Sequence, residues 1–117
     1  MSQGNQGTSR PDDRGFTVRS ERTDAGERIR PVGEMDLAVV DRLEREMRRA
    51  EATDAESILL DLDELEFLDA SGIRLLLDLN DRSESNGRRL RITRARAPQV
   101  RRVIELTGVG DVLPFVD

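Results

Sequence analysis

ILLDLDELEFLDASGIRLLL, residues Ile58 to Leu77, is the stretch whose reading decides the fold of this chain. Ile58-Leu59-Leu60-Asp61-Leu62 is a nearly continuous apolar run, the pattern of a strand buried on both faces. Leu65-Glu66-Phe67-Leu68 then carries the chain into Asp69-Ala70-Ser71-Gly72, where it must turn. From about Ser71 to Ser85, Ile73, Leu75, Leu76, Leu77 and Leu79 cover a broad apolar face, which predicts a helix closed by Asn86-Gly87. A buried strand that feeds a helix is the unit of an α/β layer structure.

Working outward, Asp36 precedes a helical pattern in which Leu37, Val40, Leu43, Met47 and Ala50 recur on one face, and it is placed to cap that helix. Upstream, Phe16 to Ser20 alternates apolar and polar, Thr23 to Gly26 carries turn chemistry, and Glu27 to Val32 alternates again. These two runs predict a hairpin, with Pro31 pushing its second strand towards an edge. Downstream, Leu90 and Ile92 give another strand. Pro98 opens a third helix through Val100, Val103 and Ile104 that stops at Gly108, and Val112 to Val116 leaves room for a short last strand. The expected architecture is a single α/β domain over residues 16–117, a mixed sheet of four to five strands flanked by helices and opening on a β-hairpin. Residues 1–15 hold no large apolar side chain apart from Met1, so they are expected to form a flexible tail.

Composition narrows the chemistry. The 117 residues include no His and no Cys, which excludes thiol nucleophiles, disulfides, zinc fingers and imidazole acid–base catalysis. An enzyme built here would have to run on carboxylates, Ser/Thr or Arg. All 19 basic residues are Arg, and 24 acidic ones leave a formal charge of -5, which argues against non-specific nucleic-acid binding. No apolar run approaches the ~20 residues of a membrane span, and the first residues lack the apolar stretch of a signal peptide, so no membrane and a cytoplasmic location are expected.

Charge is unevenly placed. Asp54, Glu56, Asp61, Asp63, Glu64, Glu66 and Asp69 succeed one another with no Arg between them, and Arg88 to Arg102 holds seven Arg and no acid. Solvated faces are the plain reading of both. The acidic spacing matches no Ca²⁺ loop, so no metal is expected, and no aromatic is interleaved with the Arg block for base stacking. No cofactor is expected either.

Ser71 is the residue with two readings. It is well placed to cap the helix that starts there, since a Ser hydroxyl accepts a backbone N–H. It is equally an exposed hydroxyl on a rigid scaffold, open to modification, with Gly72 letting another protein's active site come close. A nucleophilic Ser is excluded for want of a His or Lys base and of the G-x-S-x-G elbow.

Asp69-Ala70-Ser71-Gly72-Ile73, after Leu60-Asp61-Leu62 and Leu65 to Leu68, resembles the signature of STAS-domain anti-sigma factor antagonists of bacteria. Gly33-Glu34-Met35-Asp36-Leu37-Ala38 resembles the approach to that family's first helix. Val100 to Gly108 resembles its last helix, with Leu113-Pro114-Phe115 beyond. The three motifs stand in register from Phe16 to Asp117. The resemblance implies a partner-switching protein that is not an enzyme. Such a protein binds an anti-sigma factor with Ser/Thr kinase activity and frees the sigma factor. It is phosphorylated on the Ser before the Gly, which is Ser71 here, and is reset by a Ser/Thr phosphatase. The resemblance further implies a partner-binding surface of Asp36, Asp69, Ala70, Ser71, Gly72, Ile73 and Arg74, no direct nucleic-acid contact, and room for a weak homodimer. A STAS protein of another kind, such as a stressosome scaffold or a ligand-sensing or lipid-transport accessory subunit, is the alternative. Two positions depart from the pattern: Ala70 stands where a Ser is frequent, and Asp63 where a small residue is common.

Overall fold

The computed structural model describes residues 15–116. Its elements run β1 (Phe16–Thr23), β2 (Gly26–Met35), α1 (Val40–Glu51), β3 (Ser57–Leu60), β4 (Leu65–Leu68), α2 (Ala70–Ser85), β5 (Leu90–Thr93), α3 (Pro98–Thr107), a 3-10 turn (Val109–Asp111) and β6 (Phe115–Val116). The expected tail lies outside the described residues except for Gly15, whose carbonyl accepts the Glu34 N–H at 3.1 Å.

The sheet is mixed, in the order β1-β2-β3-β5-β6, with β4 pairing β2 beyond the end of β3. β1 and β2 form the antiparallel opening hairpin, with Phe16 opposite Gly33 and Thr23 opposite Gly26. Every other pairing is parallel. The sheet therefore has six strands, against the four to five expected, because Leu65 to Leu68 pairs with Gly33 to Met35 as a strand of its own.

The position of Pro31 is also corrected. β2 is an interior strand, and Pro31 is buried within it. β3 pairs with β2 as far as Ile29 and β4 resumes at Gly33, so a gap opens opposite Pro31. The Ile29 carbonyl accepts from Asp61 and the Gly33 N–H donates to Glu64, so alternate residues of β2 face β3 and β4. Pro31 falls on the same alternation, and its missing N–H faces the gap. Gly33, at φ 104°, meets the Gly15 backbone so closely that a Cβ would stand 1.6 Å from the Gly15 carbonyl oxygen.

Phe16, Ile29, Met35, Leu60, Leu68 and Ile92 of the sheet meet Leu43 and Met47 of α1 and Leu76 and Leu79 of α2 in one aliphatic core. Arg82 of α2 reaches both Glu44 and Glu51 of α1 and ties the two helices together. Because these strands are parallel, the turns after β2 and β4 meet at the Met35 end of β2, while those after β3 and β5 lie together beside its middle.

Candidate functional site

The turn from β4 into α2 is built around one carboxylate. Asp69 has an extended backbone (φ -105°, ψ -171°) and is the N-cap of α2. Its Oδ1 accepts the N–H groups of Ser71 at 2.9 Å and Gly72 at 3.3 Å, two of the donors a helix start leaves unpaired. The cap is therefore Asp69 and not Ser71, and Ser71 sits in the first helical turn. Its hydroxyl donates to the same Oδ1 at 2.5 Å.

Asp69 also joins this turn to the one after β2. Its N–H donates to the Met35 carbonyl at 3.2 Å. Partial burial pushes the Asp69 carboxyl up, but the Ser71 hydroxyl and the backbone N–H groups around it outweigh that and hold it below the usual carboxylate range.

Asp36 does not cap α1. The helix begins at Val40, with Val39 at the N-cap position and no side-chain cap. Asp36 instead closes a tight turn: its Oδ1 accepts the Ala38 N–H at 3.0 Å, and its carbonyl accepts from Val39 and Val40. That turn delays the helix and takes Leu37 off the apolar face on which its spacing placed it. Leu37 is 75% exposed.

Among the sequence-predicted site residues, Asp36, Ala70 and Arg74 are exposed, while Asp69 and Ser71 are half-buried. Gly72 and Ile73 are buried and present no side chain to a partner. Gly72 has an internal reason to be Gly, since a Cβ there would lie 2.1 Å from Leu68 Cδ1 and 3.2 Å from Met35 Cε. Its lack of a side chain lets α2 settle onto β2 and β4. Leu37 is what sequence reasoning missed at this site. The one available signal was Asp36 itself, which favours a turn as readily as a cap.

The acidic stretch is not uniformly a solvated face. Asp61, 1% exposed, accepts from Arg28 Nε at 2.9 Å and from the Asp63 N–H at 2.9 Å, and the Thr93 hydroxyl lies 3.3 Å away. Burial pushes the Asp61 carboxyl up, yet the Asp63 N–H, Arg28 and Thr93 together bring it below the usual range. Asp63, one of the two positions that depart from the family pattern, stands beside it. Thr93 Oγ1 lies 3.2 Å from its Oδ1 and Arg96 Nε 3.6 Å from its Oδ2. Among the described residues no helix is long and apolar enough to cross a membrane.

Comparison with solved structures finds the same architecture. An anti-sigma factor antagonist from Mycobacterium paratuberculosis superposes with a TM-score of 0.75 at 28% identity, over 92% of this chain and 89% of that one. The anti-sigma factor antagonist SpoIIAA in its unphosphorylated form gives 0.70 at 25% identity, over 86% and 87%. The Bacillus cell fate determinant SpoIIAA in its phosphorylated form gives 0.62 at 25% identity, over 87% and 89%. No curated protein sequence matches the chain. The STAS domain family matches residues 22–117, and the chain belongs to that family.

Proposed function

We propose that this chain is an anti-sigma factor antagonist, a cytoplasmic binding module without enzymatic activity of its own. It docks a kinase-type anti-sigma factor through the surface around Ser71, so that the sigma factor is freed. The partner transfers the γ-phosphoryl group of ATP to Ser71 Oγ, with loss of the hydroxyl proton and release of ADP, and the contact is broken. A Ser/Thr phosphatase hydrolyses the ester and restores the hydroxyl.

The observation that carries this reading is the division of labour between Asp69 and Ser71. Asp69 does the capping, so the Ser71 hydroxyl is not needed to start α2 and is left half-buried at the surface. Its single proton is directed to Asp69 Oδ1, which leaves the oxygen lone pairs for an incoming phosphorus atom. The likeness to anti-sigma factor antagonists, one of them in a phosphorylated form, supports the same reading.

Charge explains how one phosphate could switch the contact. A phosphoserine carries about −1.5 to −2 charges at neutral pH. Free N–H groups and the dipole at the start of α2 favour an anion there, so the fold accepts it. The neighbouring Asp69 carboxylate repels it: two unit charges about 4 Å apart interact by about 4 kcal/mol at an effective dielectric near 20. A face fitted to a partner with Asp69 bonded to a neutral hydroxyl thus loses that bond and gains a bulky group pushed away from Asp69, so it no longer fits the partner. Incubation with the purified kinase-type anti-sigma factor and ATP, followed by phosphosite mapping, is the test. Phosphate on Ser71, and none on Ser71→Ala, is expected. Phosphate only on another residue would overturn the assignment.

A further inference from the structure

Single exposed leucines are ordinary on protein surfaces. Leu37 differs in how it is held. The Asx turn of Asp36 and Ala38 fixes the backbone on either side, the Val39 and Val40 N–H groups close onto the Asp36 carbonyl, and the Asp69 N–H pins the Met35 carbonyl two residues before it. An apolar side chain on so constrained a turn loses little backbone freedom when it docks.

Leu37 also has apolar company. Ala38 beside it and Ala70 beside Ser71 are exposed, and Phe67, two residues before Asp69, is 41% exposed. Around these stand the exposed carboxylates Glu34, Asp36 and Glu66, with Glu34 in register opposite Phe67 across the β2–β4 pair. No basic residue occurs in the sequence between Arg30 and Arg42 or between Arg49 and Arg74. These apolar residues thus stand among carboxylates, with the exposed Arg74 following near the start of α2.

We propose that Leu37 is the apolar anchor of the partner contact, and that the partner's facing surface is an apolar socket rimmed by Lys or Arg. The proposal rests on the reading of the Ser71 surface as the partner-binding face, and adds to it which side chain carries the affinity and what chemistry receives it. The carboxylates supply orientation and rate, while the buried leucine supplies dwell time.

The molecule provides its own control. Leu106, on the last turn of α3, is 75% exposed, the same fraction as Leu37. Leu106 belongs to neither of the two turns that Asp69 joins, so it controls for exposure alone. The experiment is calorimetric titration of a purified kinase-type anti-sigma factor with the unsubstituted protein, Leu37→Ser, Leu37→Met and Leu106→Ser, at low and high salt, with sedimentation of each protein alone. Leu37→Ser is expected to weaken binding about ten- to hundred-fold, the worth of burying one leucine, with an unchanged melting temperature. Leu37→Met and Leu106→Ser are expected to bind as the unsubstituted protein does, and affinity to fall as salt rises. Full affinity in Leu37→Ser would overturn the anchor and leave the functional reading standing. No binding by the unsubstituted protein would overturn both. A concentration-dependent dimer that Leu37→Ser abolishes would assign the patch to a second copy of the chain and overturn the socket.

Discussion

Asp61 and Asp69 each come just after a short strand that pairs in parallel with β2, Asp61 level with its middle and Asp69 at its end, and they do opposite work. Asp61 is enclosed and meets a cation: Arg28 grips it from β2 while the Asp63 N–H and the Thr93 hydroxyl take up its remaining capacity. Asp69 is half-buried and meets neutral donors, two backbone N–H groups and one hydroxyl. The first carboxylate is satisfied by groups of the fold and locks β3 to its neighbours. The second is satisfied partly by a hydroxyl that another protein can reach. Burial and the sign of the nearest partner, rather than residue type, decide which acid is structural and which can take part in a switch.

The largest expected effect of breaking this contrast is at Asp61. Asp61→Ala takes the short ion pair from Arg28 and the acceptor from the Asp63 N–H at an enclosed position, so it should cost about 3 kcal/mol by urea denaturation. Asp69→Ala removes a helix cap with water close by, and should cost about 1 kcal/mol. If the two losses prove equal, the distinction between a locked and an addressable carboxylate is wrong. Partner binding sharpens the comparison, since Asp69→Ala should also weaken the contact by releasing the Ser71 hydroxyl and loosening the start of α2, while a folded Asp61→Asn should bind as the unsubstituted protein does.

Acid should reveal both groups. Each carboxyl is held below its ordinary value in the folded state, so each contributes stability that is present above about pH 4 and is lost as pH falls through its folded value. Thermal melts from about pH 6 to about pH 2 should therefore show stability falling steeply below about pH 4, with a shallower fall in Asp61→Asn and in Asp69→Asn. An unchanged slope in both variants would show that other carboxylates govern acid unfolding.

The smallest effect belongs to Asp36. Because it closes a turn ahead of α1 and does not cap the helix, Asp36→Ala should cost well under the ~1 kcal/mol of a lost cap. A full loss of that size would restore it to a capping role.

Local signals carried most of the fold, and the exceptions share a cause. Alternation at Phe16 to Ser20, the apolar run at Ile58 and the leucine-rich stretch after Ser71 are all local, and each became the element expected. The strand character of the short β4 was not legible because it comes from pairing with β2, a strand distant in sequence, and not from its own pattern. Pro31 was misplaced for the same reason: only the gap between β3 and β4 makes an interior Pro tolerable. At the site, Asp69, Ser71 and Asp36 are all good caps, and spacing alone cannot tell which one the turn brings into line with free N–H groups. The Asp-Ala-Ser-Gly motif pointed to the candidate site; the hydrogen-bonding roles within it needed three dimensions.

The central claim is that a phosphate on Ser71 ends the contact with the anti-sigma factor without undoing the fold. It is tested most directly by calorimetric titration of a purified kinase-type anti-sigma factor with the unmodified protein and with protein carrying phosphoserine at position 71, with circular dichroism of both. The expected result is native-like spectra for both and at least a hundred-fold weaker binding for the phosphorylated form, a loss of about 3 kcal/mol. Equal affinities would contradict the account and leave Ser71 as a hydroxyl that does no more than brace the cap of α2.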